Sequence, residues 1–330
     1  MSDHSIIEAV LDDTQVPHQP LVVIVDSAVF SGLPLFRESL RRALNRPGPV
    51  VLVTALHDAK DLAHPGATVV NLGVPGLEDD TNDVEQAIVS AYNSGAQVFI
   101  DAIDVIAEDH GPGVALKIIR SLLRLIKASK PPSRLTLLLP HTSPFLPSLF
   151  PPTLSPALTL LHIYNPLVLS HLSRSYLLPI DSSPAFTTTL DRARDRRLPE
   201  KLAYGGLDGV EVSGDWAPKG GVVGALIRKP TGGVKGISRA LASVQSASAG
   251  LGLVIGPVSD LIATNPIDAP GAGGAMDRPA VTHVDLDLPF NLSLTDEQKR
   301  RRGEVPLPYA HEGEGVGIEF GEEEDDDEED

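Results

Sequence analysis

The chain has no cysteine. That excludes disulfides, thiolate zinc sites and a cysteine nucleophile, and it fits an intracellular protein without requiring one. No apolar run approaches 18 residues, so no membrane span is expected. The N-terminus, MSDHSIIEAVLDD, is acidic, which argues against a signal or transit peptide. There is no H-E-x-x-H, the ten histidines are scattered, and no G-x-S-x-G elbow exists for a Ser-His-Asp hydrolase. Positive charge is also scarce. Net charge is −17, and residues 322–330 are all acidic; without them the charge is about −8. Bulk charge therefore does not favour nucleic acid, although local basic patches could still bind it.

What is present suits an α/β fold. The length of 330 residues allows one large domain plus tails, or two small domains, and 42% apolar residues suffice for a core. Apolar strand-like runs at 21–25, 50–55, 68–72, 97–104, 134–139 and 158–164 alternate with helical patterns. Pro34 opens one helix, with Phe36, Leu40 and Leu44 on one face. Thr81 can cap a second, which buries Val84, Ile88 and Ala91. The clearest helix spans 114–128, with Ala115, Ile118, Ile119, Leu122, Leu123 and Ile126 as its apolar stripe. Residues 140–156 carry six prolines and cannot stay regular for long. A short helix is expected near 168–176.

The stretch QVFIDAID, 97–104, organises the rest. It reads as a strand buried on both faces in a parallel sheet, ending in a carboxylate. P-loop ATPases hold Mg²⁺ through an Asp there. The partner of that Asp is a G-x-x-x-x-G-K-[ST] loop after the first strand. Here the first strand runs into DSAVFSGLP, 26–34, so the phosphate cradle is missing. Asp101 sits at the Walker B-like position and reads as vestigial. Asp101 and Asp104, three apart on a strand, would point to opposite faces and not work as a pair without a bend. No metal or cofactor site is expected.

Basic groups collect in two places. Lys117, Arg120, Arg124 and Lys127 form a stripe opposite the apolar face of the 114–128 helix. It reads either as a solvated face or as an edge that meets RNA or a partner. A β-hairpin, 222–228 and 234–241 around a K-P-T-G-G turn, carries Arg228, Lys229, Lys235 and Arg239. The stripe and Arg228, Lys229 and Lys235 are the candidate RNA contacts. A polar segment over 181–200 reads as an exposed loop or helix, 209–213 as a late strand, and Trp216 as a loop residue that anchors packing. Residues 1–20 read as a loose lead-in, 21–245 as the α/β domain, and 246–280 as a flexible linker of Ser, Ala, Gly and Pro.

Order returns at 281–310. Pro289, Phe290, Leu292 and Leu294 form an extended apolar string; TDEQ at 295–298 is a capping box; Lys299–Arg302 suit a helix end. Val305, Leu307 and Tyr309 are extended again. A capped helix between two apolar strings, far beyond a linker, is best read as a segment that docks on a partner. Residues 311–330 read as an acidic, disordered tail.

The string LPFNLSLTDEQKRRRGEVPLPYAHEGEG, followed by IEFGEEEDDDEED, resembles the C-terminal signature of the fifth-subunit family of the Elongator complex. The match is close over 281–330 and looser over 21–245, and the Pro/Ala/Gly-rich linker suggests a fungal member. The resemblance implies a RecA-like fold that has lost its Walker A loop. It also implies a hexameric ring with Elongator subunits four and six, joined to the catalytic subcomplex of subunits one to three. That ring would bind and release tRNA during wobble uridine modification, with the chemistry carried by the third subunit, in the cytoplasm and nucleus. The chain itself would be a non-catalytic structural subunit without cofactors. The alternative is a divergent nucleotide-binding ATPase that uses Asp101 for metal.

Overall fold

Five parallel pairings build the first part of the sheet. Strands β1 (Leu21–Asp26), β2 (Val50–Thr54), β3 (Ala67–Asn71), β4 (Gln97–Ile100), β5 (Leu135–Pro140) and β6 (Leu158–Tyr164) stand in the order β3-β2-β4-β5-β1-β6. Three antiparallel strands continue it: β7 (Gly221–Arg228), β8 (Ile237–Ser246) and β9 (Leu253–Gly256). The result is a nine-stranded, mostly parallel sheet flanked by helices, the α/β architecture expected from the sequence. The computed structural model describes residues 2–26, 31–62, 65–73, 81–130, 132–198, 201, 220–231, 236–247 and 252–264. The chain divides into a compact unit, Met1–Ala275, and a second, Met276–Asp330; all described residues lie in the first.

One face of the sheet is covered by α4 (Thr81–Ala91), α5 (Ile103–Asp109) and α6 (Pro112–Ala128). Gly111, at φ +90°, turns the chain from α5 into α6, and Pro112 starts α6 with its missing N–H at no loss. The six apolar residues expected along α6 are all buried. Burying each Leu or Ile side chain contributes about 1.5–3 kcal/mol, so this helix is a main support of the parallel strands. The opposite face is covered by α1 (Asp3–Leu11), by α2 (Leu33–Leu44) with Pro34 in its first turn, and by the short α3 (Ala59–Leu62), which buries Leu62. A smaller core joins α7 (Pro166–Tyr176) and α8 (Pro184–Asp195) to Tyr164, Val222 and Leu241.

Four sequence expectations change. The lead-in over 1–20 is not loose: α1 buries Ile7, Val10 and Leu11 and packs against β8. The buried Arg134 guanidinium donates to the Val10 carbonyl and lies 3.5 Å from Asp13, tying the helix end to the sheet. The 181–200 segment, read as an exposed loop or helix, is not wholly exposed: Ser183 caps α8, and Phe186, Leu190 and Ala193 share a buried face. The stretch read as linker from 246 contains β9 and a 3-10 turn over Val258–Asp260, since Leu253–Ile255 supply a short run that pairs with β8. Finally, β4 stops at Ile100, so Asp104 belongs to the first turn of α5 rather than to a strand. The expected strand at 209–213, Trp216, the hairpin tip at 232–235, His64 and everything from 265 onward lie outside the described residues.

Candidate functional site

The C-terminal ends of β1 and β4 are where a nucleotide-using sheet of this kind does its chemistry. Both ends carry a carboxylate, and both carboxylates are engaged by the protein itself. Asp26 closes β1. Its Oδ1 accepts the Gly32 N–H, which lies at the entrance to α2. A helix N-terminus has unpaired N–H groups and a partial positive charge, the feature that attracts phosphate. Here an internal carboxylate stands at it.

Asp101 follows β4 and is 1% exposed. Its Oδ1 accepts the Ala55 N–H at 2.7 Å; its Oδ2 accepts those of Leu56 at 3.3 Å and His57 at 2.8 Å. The His57 Nδ1 stands 3.1 Å from the same oxygen. One carboxylate thus collects three backbone donors and an imidazole from the turn after β2, the neighbouring strand. A metal at Asp101 would have to compete with all of them. Asp104 does not join in. Burial pushes its carboxyl above the usual range, and Glu108 and Asp101 add to that. Among the described residues, no three His, Asp or Glu side chains are grouped to hold a metal ion.

The basic candidates separate. Lys117, Arg120, Arg124 and Lys127 are exposed along α6, but Lys117 pairs with Glu85 at 2.6 Å. Arg228 is not a surface cation of the hairpin. Its guanidinium donates to the carbonyls of Phe150 (2.6 Å), Ser155 (2.6 Å) and Pro156 (3.2 Å), and so clamps the proline-rich loop before β6. The sequence put it near the hairpin tip or along the hairpin; its pairing with Leu158 at the start of β6 sets it beside that loop. Lys229 is half-buried next to the turn. Lys235 and the seven apolar residues expected to grip a partner (Pro289, Phe290, Leu292, Leu294, Val305, Leu307, Tyr309) lie outside the described residues.

A second site was not expected. A cleft of about 620 Å³ opens over β6, β7 and β8, between the 141–150 loop and α8. Leu160, Leu226 and Arg239 stand side by side across its floor, as do His162, Gly224 and Leu241. Burial above all, then Arg194 and His141, holds His162 well below the ordinary histidine value, so it is neutral. Burial pushes the Tyr164 phenol up to about 12. Burial opposes the charge on Arg194, yet Tyr164, Asp191 and Asp195 keep its guanidinium above the usual range. His162, a polar residue in the otherwise mostly apolar run 158–164, was the one sequence signal for this half-open face.

The family described as Elongator subunit Iki1 matches residues 6–323 of this chain. No curated protein matches it. One of the solved structures that do is a KaiC-like protein from the hyperthermophilic archaeon Pyrococcus horikoshii. It is 13% identical with a TM-score of 0.38, over 73% of this chain and 91% of that one.

Proposed function

The chain belongs to the Elongator subunit Iki1 family, and from that premise we propose that it is a non-catalytic structural subunit of Elongator. It takes its place beside subunits four and six in a hexameric ring, which joins the catalytic subcomplex of subunits one to three and serves tRNA wobble uridine modification in cytoplasm and nucleus. The observation that carries the non-catalytic part is the use of Asp101. A carboxylate that already accepts three backbone N–H groups, with a carboxylate at the entrance to α2, supports a fold rather than a metal–phosphate reaction. In this reading residues 281–310 dock on a neighbour.

Contact with tRNA falls to Arg120, Arg124 and Lys127, whose side chains are exposed on one helix. Replacing all three by Glu lowers tRNA affinity of the ring and reduces its salt dependence. The test of assembly is the native mass of the chain co-expressed with the fourth and sixth subunits, with and without 281–330. A ring of six that falls apart on truncation is the expected result. A monomer that ignores both partners overturns the reading. Saturable ATP binding by the isolated chain, abolished in Asp101→Asn, would favour the ATPase alternative.

A further inference from the structure

Besides the outer face of α6, the cleft over β6–β8 is a second place among the described residues where arginines gather on this acidic chain. Leu158, Leu160 and Leu226 line its floor, and Phe150 closes one side. Its lining includes four arginines (194, 197, 228 and 239) against two carboxylates, Asp191 and Asp195. Those two carboxylates pair with Arg194, at 3.1 and 3.6 Å, and Arg228 is engaged by the proline-rich loop. Arg239 is half-buried beside Leu226 and has neither a hydrogen bond nor an ion pair among the described residues. Ile237, 42% exposed, stands two residues away on the same strand and therefore on the same face. A guanidinium held next to apolar side chains, with no acceptor among the described residues, is a site for a carboxylate that brings apolar groups with it.

We propose that this cleft is a docking groove for an extended segment of another subunit of the complex. That segment carries an acidic side chain for Arg239, flanked by apolar side chains that cover Leu160, Leu226 and Ile237. The inference rests on the reading of the chain as an Elongator subunit. Charge complementarity selects this occupant. With a net charge of −17, the chain as a whole repels an acidic segment, and the arginines of the cleft are a local exception. Length agrees as well. The seven residues of β6 span about 20 Å, room for an extended segment of about six residues.

The experiment uses the full chain in the assembled complex. A photo-crosslinking benzoylphenylalanine replaces Ile237, and a control replaces Arg124 on the outer face of α6. The expected result is an adduct, after irradiation, on a peptide of another subunit that holds Asp or Glu among apolar residues. Arg239→Glu lowers that adduct about fivefold or more while the chain still co-purifies, and Arg in place of the partner's acidic residue restores it. An adduct on this chain itself, residues 202–219 included, overturns the proposal. So does an adduct on RNA, or a yield no greater than from position 124. In each of those outcomes co-purification shows separately whether the subunit reading stands. A chain that no longer co-purifies with the complex overturns that reading as well.

Discussion

The parallel and antiparallel parts of the sheet treat polar groups in opposite ways. In β1, β2, β4 and β5 nearly every residue is buried, and the carboxylates at the strand ends are bound by backbone donors. In β7 burial alternates, and over β6–β8 lie Arg239, His162 and the paired Arg194 beside an open cleft. The parallel strand ends are thus bonded internally, with Asp26 and Asp101 held by backbone N–H groups. The antiparallel part instead places polar side chains beside a cleft.

The largest test of that contrast is Asp101→Ala. It strands the N–H groups of Ala55, Leu56 and His57 and is expected to cost about 4 kcal/mol of stability. It shows as a lower urea midpoint at unchanged slope. A fold of full stability would mean that Asp101 serves something other than this turn. Next comes Gly224→Ala in the antiparallel part. An added Cβ would stand 2.9 Å from the Tyr164 ring, so the sheet or the ring must shift. The expected cost is about 2 kcal/mol, read by thermal unfolding.

A smaller effect comes from pH. His162 stays neutral when folded, while an unfolded histidine takes up a proton near pH 6.5. The unfolded state then binds more protons below that value. Stability falls as pH falls through it, by up to about 1.4 kcal/mol per pH unit, and His162→Gln removes that contribution. Comparison of the two proteins between pH 7 and 5 checks it. The smallest effect belongs to Lys117→Ala. Its ion pair with Glu85 is on the surface, so the expected loss is under about 0.5 kcal/mol by urea denaturation.

How much could be read in advance follows the same division. The parallel strands and α6 were legible because a strand buried on both faces is a continuous apolar run, and a long amphipathic helix repeats its period several times. The missing G-x-x-x-x-G-K-[ST] was equally plain. The fate of Asp101 was not, since its donors come from residues 55–57, more than 40 positions away and attached to a neighbouring strand. Asp104 was misplaced for a local reason. Nothing in DAID marks where a strand yields to a helix two residues later. The short β9 hid in a Ser/Ala/Gly-rich context that local composition reads as linker. In α1, Ile6-Ile7 and Val10-Leu11 do show helical spacing, but two turns carry too little pattern to stand out beside acidic flanks and Pro17. The cleft escaped notice because it depends on which residues of three strands come into register.

The attachment of α1 has a consequence for biosynthesis. The Asp3 carboxylate accepts the N–H of Leu241 at 3.1 Å, across a separation of 238 residues. At translation rates of about 5–20 residues per second, α1 waits roughly 12–48 seconds for the strand it packs on. During that interval Ile7, Val10 and Leu11 lack their final cover, so this helix is a place where a chaperone has apolar surface to shield.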